Sequence, residues 1–525
     1  MYHRIASQLW KFNCKNAFND FLKNQNNVSS IQTQILKKIL SLGEKSLIGK
    51  RYSMSPLWDI KNFQENIPIS EYSDYKPYIE SILNGEKSIL TDSKIRRLGL
   101  SSGSSGALKY IPFTDQLSQE FSHSISVWIY GLFSSHPEIM DGQFYFSVSP
   151  SGFPESENGK ISIGFDKDGD YLKPIERIFA KTLLIVPEWL SKIPDTDFVM
   201  YVTCLRLLAT ENLSFVSIWN PSYFLSILER ILKDKDKLIW DLENGTISEY
   251  ENTRWKSYLS SLKVKNFKRA NKLKTYLYDS KPWLKVWPNL KRFSLWTDSF
   301  AEKPYLKLKT ILPDVSFESK GVFATEGTIT IPVYTNQVNP KHMLAYTSHF
   351  FEFMDSQGNV FLPSELVEGS EYEVLLTTGG GFYRYRIGDR FQMISKIGEI
   401  PELKFLGRND DVSDLVGEKI NESFLRREME PLFAKFGFLE NKAFLRGNLR
   451  EEKAFYELVI HLEKPLIETQ MLSEALESAL LKNPHYAYAR RLGQLDTVRI
   501  SFEKTTKDKV GRVSTDKHKF LRRPT

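Results

Sequence analysis

Only two cysteines, Cys14 and Cys204, occur in 525 residues, which excludes a disulfide framework and fits the reducing cytoplasm. No apolar run approaches the roughly 18 residues that a membrane span requires. The opening segment, Met1 to Phe18, interleaves Arg4, Lys11, Asn13 and Lys15 with its apolar residues, unlike a signal peptide. A net charge of +7 is too small at this length to mark a nucleic-acid binder, although it suits an anionic small ligand. The eight histidines show no metal-ligand spacing. A phosphate-binding G-x-x-x-x-G-K-[ST] is also missing, because Gly159-Lys160 is followed by Ile161 and Gly49-Lys50 by Arg51. There is no internal repeat and no low-complexity tract.

What is present is a well-packed globular chain, rich in Phe and Tyr and long enough for two to four domains. Ile31, Ile35, Leu36, Ile39 and Leu40 recur at helical spacing. Residues 56–92 alternate helix and loop up to the turn signal Asn84-Gly85, and 115–135 reads as a helix. Phe144–Val148 and Ile161–Phe165 read as strands around a Gly/Pro/Ser-rich excursion. From about 170 to 300 helical patterns dominate, with apolar stretches such as Phe198–Val202 between them. The densest basic stretch (Lys263, Lys265, Lys268, Arg269, Lys272, Lys274) carries apolar partners at helical spacing and reads as a solvated helix face. A β-rich region follows. Glu371–Thr378 and Phe382–Ile387 form strands around Gly379-Gly380-Gly381, with Tyr383, Tyr385 and Ile387 on one face and Arg384 and Arg386 on the other. Past Arg408 the pattern becomes helix (Phe424–Phe433), strand (Phe455–Leu462), helix (Leu472–Leu480) and strand (Val498–Phe502), a small α+β unit. The boundary falls near 405–412, giving units 1–408 and 409–525.

The segment Ser101-Ser102-Gly103-Ser104-Ser105-Gly106-Ala107-Leu108-Lys109 concentrates four hydroxyls, two glycines and a lysine. Gly103 and Gly106 permit backbone that turns successive N–H groups toward an anion, the serines add donors, and Lys109 adds a point charge. That composition suits a polyphosphate, but a flexible linker shares it. Gly99-Leu100-Ser101-Ser102-Gly103 also matches the G-x-S-x-G elbow of hydrolases, which needs a helix directly after the serine. The glycines, serines and Pro112 that follow are poor helix material.

Further on stand Ala324-Thr325-Glu326-Gly327, then Gly388-Asp389, then Gly407-Arg408-Asn409-Asp410, then Gly417-Glu418-Lys419. Each alone reads as a turn. In this order after the Ser/Gly/Lys loop, they follow the signatures of the adenylate-forming superfamily. The chain more closely resembles the Gretchen Hagen 3 family of auxin-responsive acyl acid amido synthetases and their bacterial relatives. The likeness also takes in Tyr72, Tyr75-Lys76-Pro77-Tyr78, Ile111-Pro112-Phe113-Thr114, Trp219-Asn220-Pro221-Ser222, Trp287-Pro288-Asn289-Leu290, Tyr383–Asp389 and Leu492-Gly493-Gln494-Leu495.

The resemblance implies an α/β fold: a large N-terminal adenylate-forming domain (1–408) with mixed sheets and helices, and a small mobile α+β C-terminal domain (409–525). It implies an enzyme that uses ATP and Mg²⁺ to adenylate a small carboxylic acid and passes the acyl group to an amine, usually an amino acid's. Ser101, Ser102, Gly103, Ser104, Ser105, Gly106 and Lys109 would hold the β- and γ-phosphates, Thr325 the α-phosphate and Glu326 the metal. Asp389 would receive the ribose hydroxyls, Arg408 would neutralise nucleotide oxygens, and Asp410 would be the hinge. Where relatives place an adenine-facing aromatic, the chain has Val322-Phe323-Ala324, with Phe323 the candidate. The superfamily's late catalytic lysine has two candidates, Lys517 and Lys519, in what also reads as a solvated basic tail. Ser124, Trp128 and Val322 are positional candidates for the acyl pocket. A ligase that makes an acyl-CoA through the same adenylate and a non-catalytic nucleotide-binding homologue remain as alternatives. His349 and His485 are expected to be structural.

Overall fold

The computed structural model describes residues 2–102, 108–147, 161–164, 174–297, 301–335, 339–408, 412–436, 443–449, 453–461, 469–503 and 521–522. The helical spacing at 31–40 yields the helix Val28–Gly43, whose Leu36, Ile39 and Leu40 are fully buried. The segment 115–135 is one helix, Asp115–Ser135, started by Thr114, whose hydroxyl accepts the Leu117 amide at 3.0 Å. Among the described residues no helix is long and apolar enough to cross a membrane.

Three larger sheets organise the chain. Four parallel strands run in the order Gln143–Phe146, Leu213–Ser217, Arg292–Leu295, Ser316–Ser319. A parallel sheet must be covered on both faces. Here Tyr145, Val216 and Phe293 face one cluster with the helices Thr196–Ala209 and Pro221–Lys233, while Phe144 and Phe215 face Trp128, Ile129 and Phe133 of Asp115–Ser135. The apolar stretch Phe198–Val202 therefore lies inside a helix that is buried all round rather than between helices. Seven antiparallel strands form the second sheet, in the order Thr330–Val333, Lys341–Leu344, Ile400–Arg408, Tyr385–Ile397, Glu371–Thr377, Phe350–Met354, Val360–Phe361. The third, small sheet (Arg499–Glu503, Phe455–His461, Ala443–Asn448, Leu521–Arg522) packs with the helices Glu422–Phe436, Thr469–Leu480 and Pro484–Arg491 around a core drawn entirely from residues 415–521. The mixed α/β fold with a large and a small unit is thus present, and residues 409–411, on the expected boundary, lie outside the described residues.

Two further expectations need correction. The strand after the triple glycine begins at Tyr385, not Phe382, because Arg384 adopts a left-handed φ of 47°. Its amide donates to the Thr377 hydroxyl at 2.8 Å, and its guanidinium turns inward to Glu352 at 3.0 Å and to the carbonyls of Gln64 and Ile67 at 2.9 Å. Arg384 is therefore buried like Tyr383 and Tyr385, and the alternation starts only after it. The basic stretch is two helices, Lys256–Leu262 and Phe267–Tyr276, rather than one face. Arg269 is buried on the carbonyls of Leu208 and Val286, while Lys263, Lys272 and Lys274 pair with Glu251, Glu211 and Glu243.

Removing one member of a buried ion pair leaves the other charge uncompensated, whereas an exposed pair contributes little. Glu352→Ala is therefore expected to cost about 3–5 kcal/mol in urea unfolding. Glu371→Ala, which breaks the exposed 3.2 Å pair with Arg390, should cost no more than about 1 kcal/mol.

Candidate functional site

The Ser/Gly loop joins two antiparallel strands, Ile95–Ser102 and Leu108–Thr114, with Ser101 opposite Lys109 and Ser102 opposite Leu108. Gly103, Ser104, Ser105 and Gly106 lie outside the described residues, as do the side chains of Ser101 and Ser102. The hairpin removes the hydrolase reading, because Ser101 leads into a returning strand and not into a helix. Lys109 is 8% exposed. Its ammonium donates to the Tyr385 hydroxyl at 3.3 Å and lies 5.5 Å and 5.9 Å from the ring centres of Tyr72 and Tyr385. Two aromatic faces thus hold the cation at the root of the loop. Burial pushes the Tyr72 phenol up to about 12 against the opposing hydrogen bond from the Tyr110 amide, and the Glu326 carboxylate adds to the rise.

Thr325 and Glu326 form the turn between the short strands Phe323–Ala324 and Gly327–Thr328. Glu326 is 7% exposed and Thr325 half-buried. The turn is held from below by a histidine. The Thr328 amide donates to His349 Nε2 at 2.9 Å, so the ring proton sits on Nδ1, which donates to Glu120 at 2.8 Å. Gly327 is required here, since a Cβ would stand 2.9 Å from His349 Nε2 and 2.8 Å from a Leu376 methyl. Glu120 also accepts the Gly379 amide at 3.1 Å and the Gln116 side-chain amide at 3.0 Å, and the Thr114 hydroxyl donates to the Gly379 carbonyl at 2.9 Å. Hairpin end, helix start, triple-glycine turn and Thr-Glu turn are thereby joined by one buried network. His349 has the structural role expected of it, and together with Glu120 it fixes the candidate site. Sequence could not pair them, since they stand 229 positions apart.

Phe323 packs on Phe113, Leu117 and Phe121, and its ring centre lies 6.0 Å from that of Trp219 in an edge-on arrangement. Ala324 and Val322 are half-buried, and the Val322 amide donates to the Thr330 hydroxyl at 2.9 Å. Asp389, 7% exposed, lies inside the strand Tyr385–Ile397 directly opposite Arg408, rather than in a turn. It stands four positions after Tyr385, the partner of Lys109, a reach of about 13 Å along the strand. The Arg408 side chain, Asp410, Lys517 and Lys519 are outside the described residues.

Ser124 and Trp128 project from Asp115–Ser135 into the interior. The Ser124 and Ser348 hydroxyls are 2.6 Å apart, and the Trp128 indole donates to Glu318 at 3.1 Å. Burial raises the Glu318 pKa, opposed by the Tyr334 hydroxyl and by Arg292, whose guanidinium is 3.6 Å away. Glu418 closes its own turn by accepting the amides of Leu415 and Val416 at 2.6 Å and 2.8 Å, together with the Tyr456 hydroxyl. Burial and the neighbouring Asp414 push it up to about 7. Among the described residues no cluster of three or more His, Cys, Asp or Glu could hold a metal ion.

Comparison with known proteins identifies the family. The GH3 family N-terminal domain matches residues 17–316, and the GH3 family central domain matches residues 342–408. The chain is 25% identical to indole-3-acetic acid-amido synthetase GH3.3 of Arabidopsis thaliana, over 77% of its own length and 71% of the relative's. It is 23% identical to jasmonoyl–L-amino acid synthetase GH3.5 of Oryza sativa subsp. japonica, over 86% and 81% of the two chains. Its fold is that of the AtGH3.15 acyl acid amido synthetase solved in complex with 2,4-DB, with a TM-score of 0.69 and 18% identity, covering 97% of this chain and 94% of that one. The match over residues 17–316 alone exceeds half the sequence, and the chain belongs to the GH3 family.

Proposed function

We propose that the protein joins a carboxylic acid to the amine of an amino acid by way of an acyl-adenylate, consuming ATP. The observation that carries this reading is the seat of Lys109 at the root of the Ser/Gly loop, held between Tyr72 and Tyr385, the latter on the strand that also bears Asp389. Family membership supports it, since relatives are named for joining indole-3-acetic acid or jasmonate to amino acids.

A carboxylate oxygen bonds to the α-phosphorus as the bond from that phosphorus to the α,β-bridging oxygen breaks, and pyrophosphate leaves. The amine then attacks the acyl carbon, loses a proton, and AMP departs with the former carboxylate oxygen. Bringing a carboxylate to a polyphosphate opposes like charges, so fixed positive groups and donors dominate the barrier. Lys109, confined by two aromatic rings, meets the β- and γ-phosphates with its position already set, along with donors from Ser101, Ser102, Gly103, Ser104, Ser105 and Gly106. Thr325 donates to the α-phosphate, Asp389 accepts the ribose hydroxyls, Arg408 neutralises nucleotide oxygens, and Phe323 packs against the adenine. A lone, mostly buried carboxylate such as Glu326 fits Mg²⁺, which is held by one or two carboxylates together with substrate phosphates. Bound there, the ion would neutralise phosphate charge. Ser124, Trp128 and Val322 border the acid's end of the site. The unit boundary lies at 408/409 with Asp410 as hinge, and Lys517 or Lys519 approaches the reacting carboxylate. The enzyme works in the cytoplasm, which suits its two buried free thiols.

With an accepted acid, wild-type enzyme is expected to exchange labelled pyrophosphate into ATP only when that acid is present. Offered CoA and mixed amino acids together, it should yield an amide by mass spectrometry. A thioester would favour the acyl-CoA reading, and tight ATP binding with no adenylate a non-catalytic homologue. Lys109→Ala and Glu326→Gln should each slow acid-dependent exchange by about 10²–10³-fold, the usual loss when one stabilising group is removed. Because the Thr-Glu turn rests on His349, His349→Ala should lower the exchange kcat about tenfold or more, with the KM for the acid changed by no more than about twofold. These magnitudes follow the cost of small misplacements in a preorganised site.

A further inference from the structure

Two sequence features still lack a role: Trp219-Asn220-Pro221-Ser222 in the large unit and Leu492-Gly493-Gln494-Leu495 in the small one. The fold brings them into contact. Asn220 caps the helix Pro221–Lys233 by accepting the Ser222 amide at 2.9 Å, with Pro221 at the first helical position, so the Ser222 hydroxyl is displayed on the first turn. On the other side, the helix Pro484–Arg491 has two loyalties. Tyr486 and Ala489 belong to the small unit's core, and the Tyr486 hydroxyl and Arg490 guanidinium both bind Glu477, at 2.9 Å and 2.7 Å. Tyr488 and Leu492, four positions apart, instead pack into the large unit's cluster around Trp287.

Gly493 ends that helix in the left-handed region at φ 69°, its amide returning to the Arg490 carbonyl and that of Gln494 to Ala489. A side chain there would be strained, and the reversal aims Gln494 back at the large unit. Gln494 Nε2 donates to Ser222 Oγ at 2.7 Å, with both residues buried. The surrounding cross-unit contacts are exposed and weak: Lys453 to Glu229 at 3.3 Å and Lys303 to the Leu449 carbonyl at 3.0 Å. Next to them a cavity of about 370 Å³ remains between the units, lined by Glu229, Lys307, Val416 and Ala454 among others. A permanent interior would be filled. Among the described residues this interface is fastened by one buried hydrogen bond and the seat of Leu492 and Tyr488, and is unfilled beside them, as a contact made and broken in each cycle requires. Ser222 also lies three residues from Trp219, whose ring approaches Phe323 at 6.0 Å and the Lys320 ammonium at 4.1 Å. A change at the contact thus adjoins the nucleotide end of the site.

We propose that Gln494 and Ser222, backed by Leu492, form a clasp that positions the small unit, and that its making and breaking sets how the enzyme divides its time between adenylating the acid and transferring the acyl group. The proposal rests on the two-step reaction above. Gln494 and Ser222 are positioning residues and touch no substrate.

The test measures both half-reactions in Gln494→Ala, Ser222→Ala and the double variant, as acid-dependent pyrophosphate exchange and as single-turnover amide formation from preformed acyl-adenylate. The ratio of the two rates is expected to move about threefold to tenfold from wild type, in the same direction in all three and no further in the double variant, which is the population shift one hydrogen bond of ordinary net strength gives. Equal slowing of both steps, or no change in either, overturns the proposal. A Ser222→Cys/Gln494→Cys variant supplies a second readout, since the native Cys14 and Cys204 are buried. Because glutamine reaches further than cysteine, a bifunctional methanethiosulfonate with a short spacer should cross-link it, suppress one half-reaction more than tenfold, and be reversed by dithiothreitol. No cross-link, or a cross-linked enzyme with the wild-type ratio, contradicts the clasp. If wild-type enzyme shows no exchange with any acid, the two-step reading fails instead, and the cross-link still reports whether the clasp exists.

Discussion

The site depends on the Glu120 carboxylate, which is buried and filled by donors from three directions. It receives His349 Nδ1–H, the Gly379 amide and the Gln116 side chain. Through His349 it reaches Thr328 and so the Thr-Glu turn. Gly379 ties it to the strand carrying Tyr385 and Asp389, and its own helix begins at the foot of the Ser/Gly hairpin. A carboxylate in such a place is costly unless its lone pairs are occupied, and once they are it resists rearrangement. Segments contributed from residues 101 to 389 are thereby given one mutual geometry. The remaining features follow from it: Lys109 is confined by Tyr72 and Tyr385, and Glu326 is buried on the turn that His349 holds.

The small unit is held quite differently. Among the described residues its core is its own, and its buried attachment to the large unit narrows to the end of one helix and a single buried side-chain hydrogen bond. Rigid construction on one side and sparse fastening on the other match a reaction whose nucleotide grip must persist while the group facing the acyl carbon is exchanged.

Much of this was legible in the sequence. Period-3.6 patterns locate Val28–Gly43, Asp115–Ser135 and Thr469–Leu480, and the short motifs in order, with the further matching segments such as Trp219–Ser222 and Leu492–Leu495, indicate the family. The failures have physical causes. Phe198–Val202 is apolar on every side because its helix is buried all round, which erases the periodicity that marks a surface helix. Arg384 broke the strand alternation through a positive φ that only its distant partners Glu352, Gln64 and Ile67 stabilise. Arg269 looked like one more solvated cation until two carbonyls from other segments claimed it. Glu120 and His349 were invisible for the same reason, since a buried acid in a helix reads like an exposed one until its partner is known. The docking of Leu492-Gly493-Gln494 on Ser222 likewise needed the fold.

The central claim, that a carboxylate attacks the α-phosphate, is tested most directly by isotope transfer. With an accepted acid labelled with ¹⁸O in its carboxylate, ATP and an amino acid, the account predicts that the AMP released carries one ¹⁸O and that pyrophosphate carries none. Label in inorganic phosphate with ADP as the other product, or amide formed with unlabelled AMP, would contradict it.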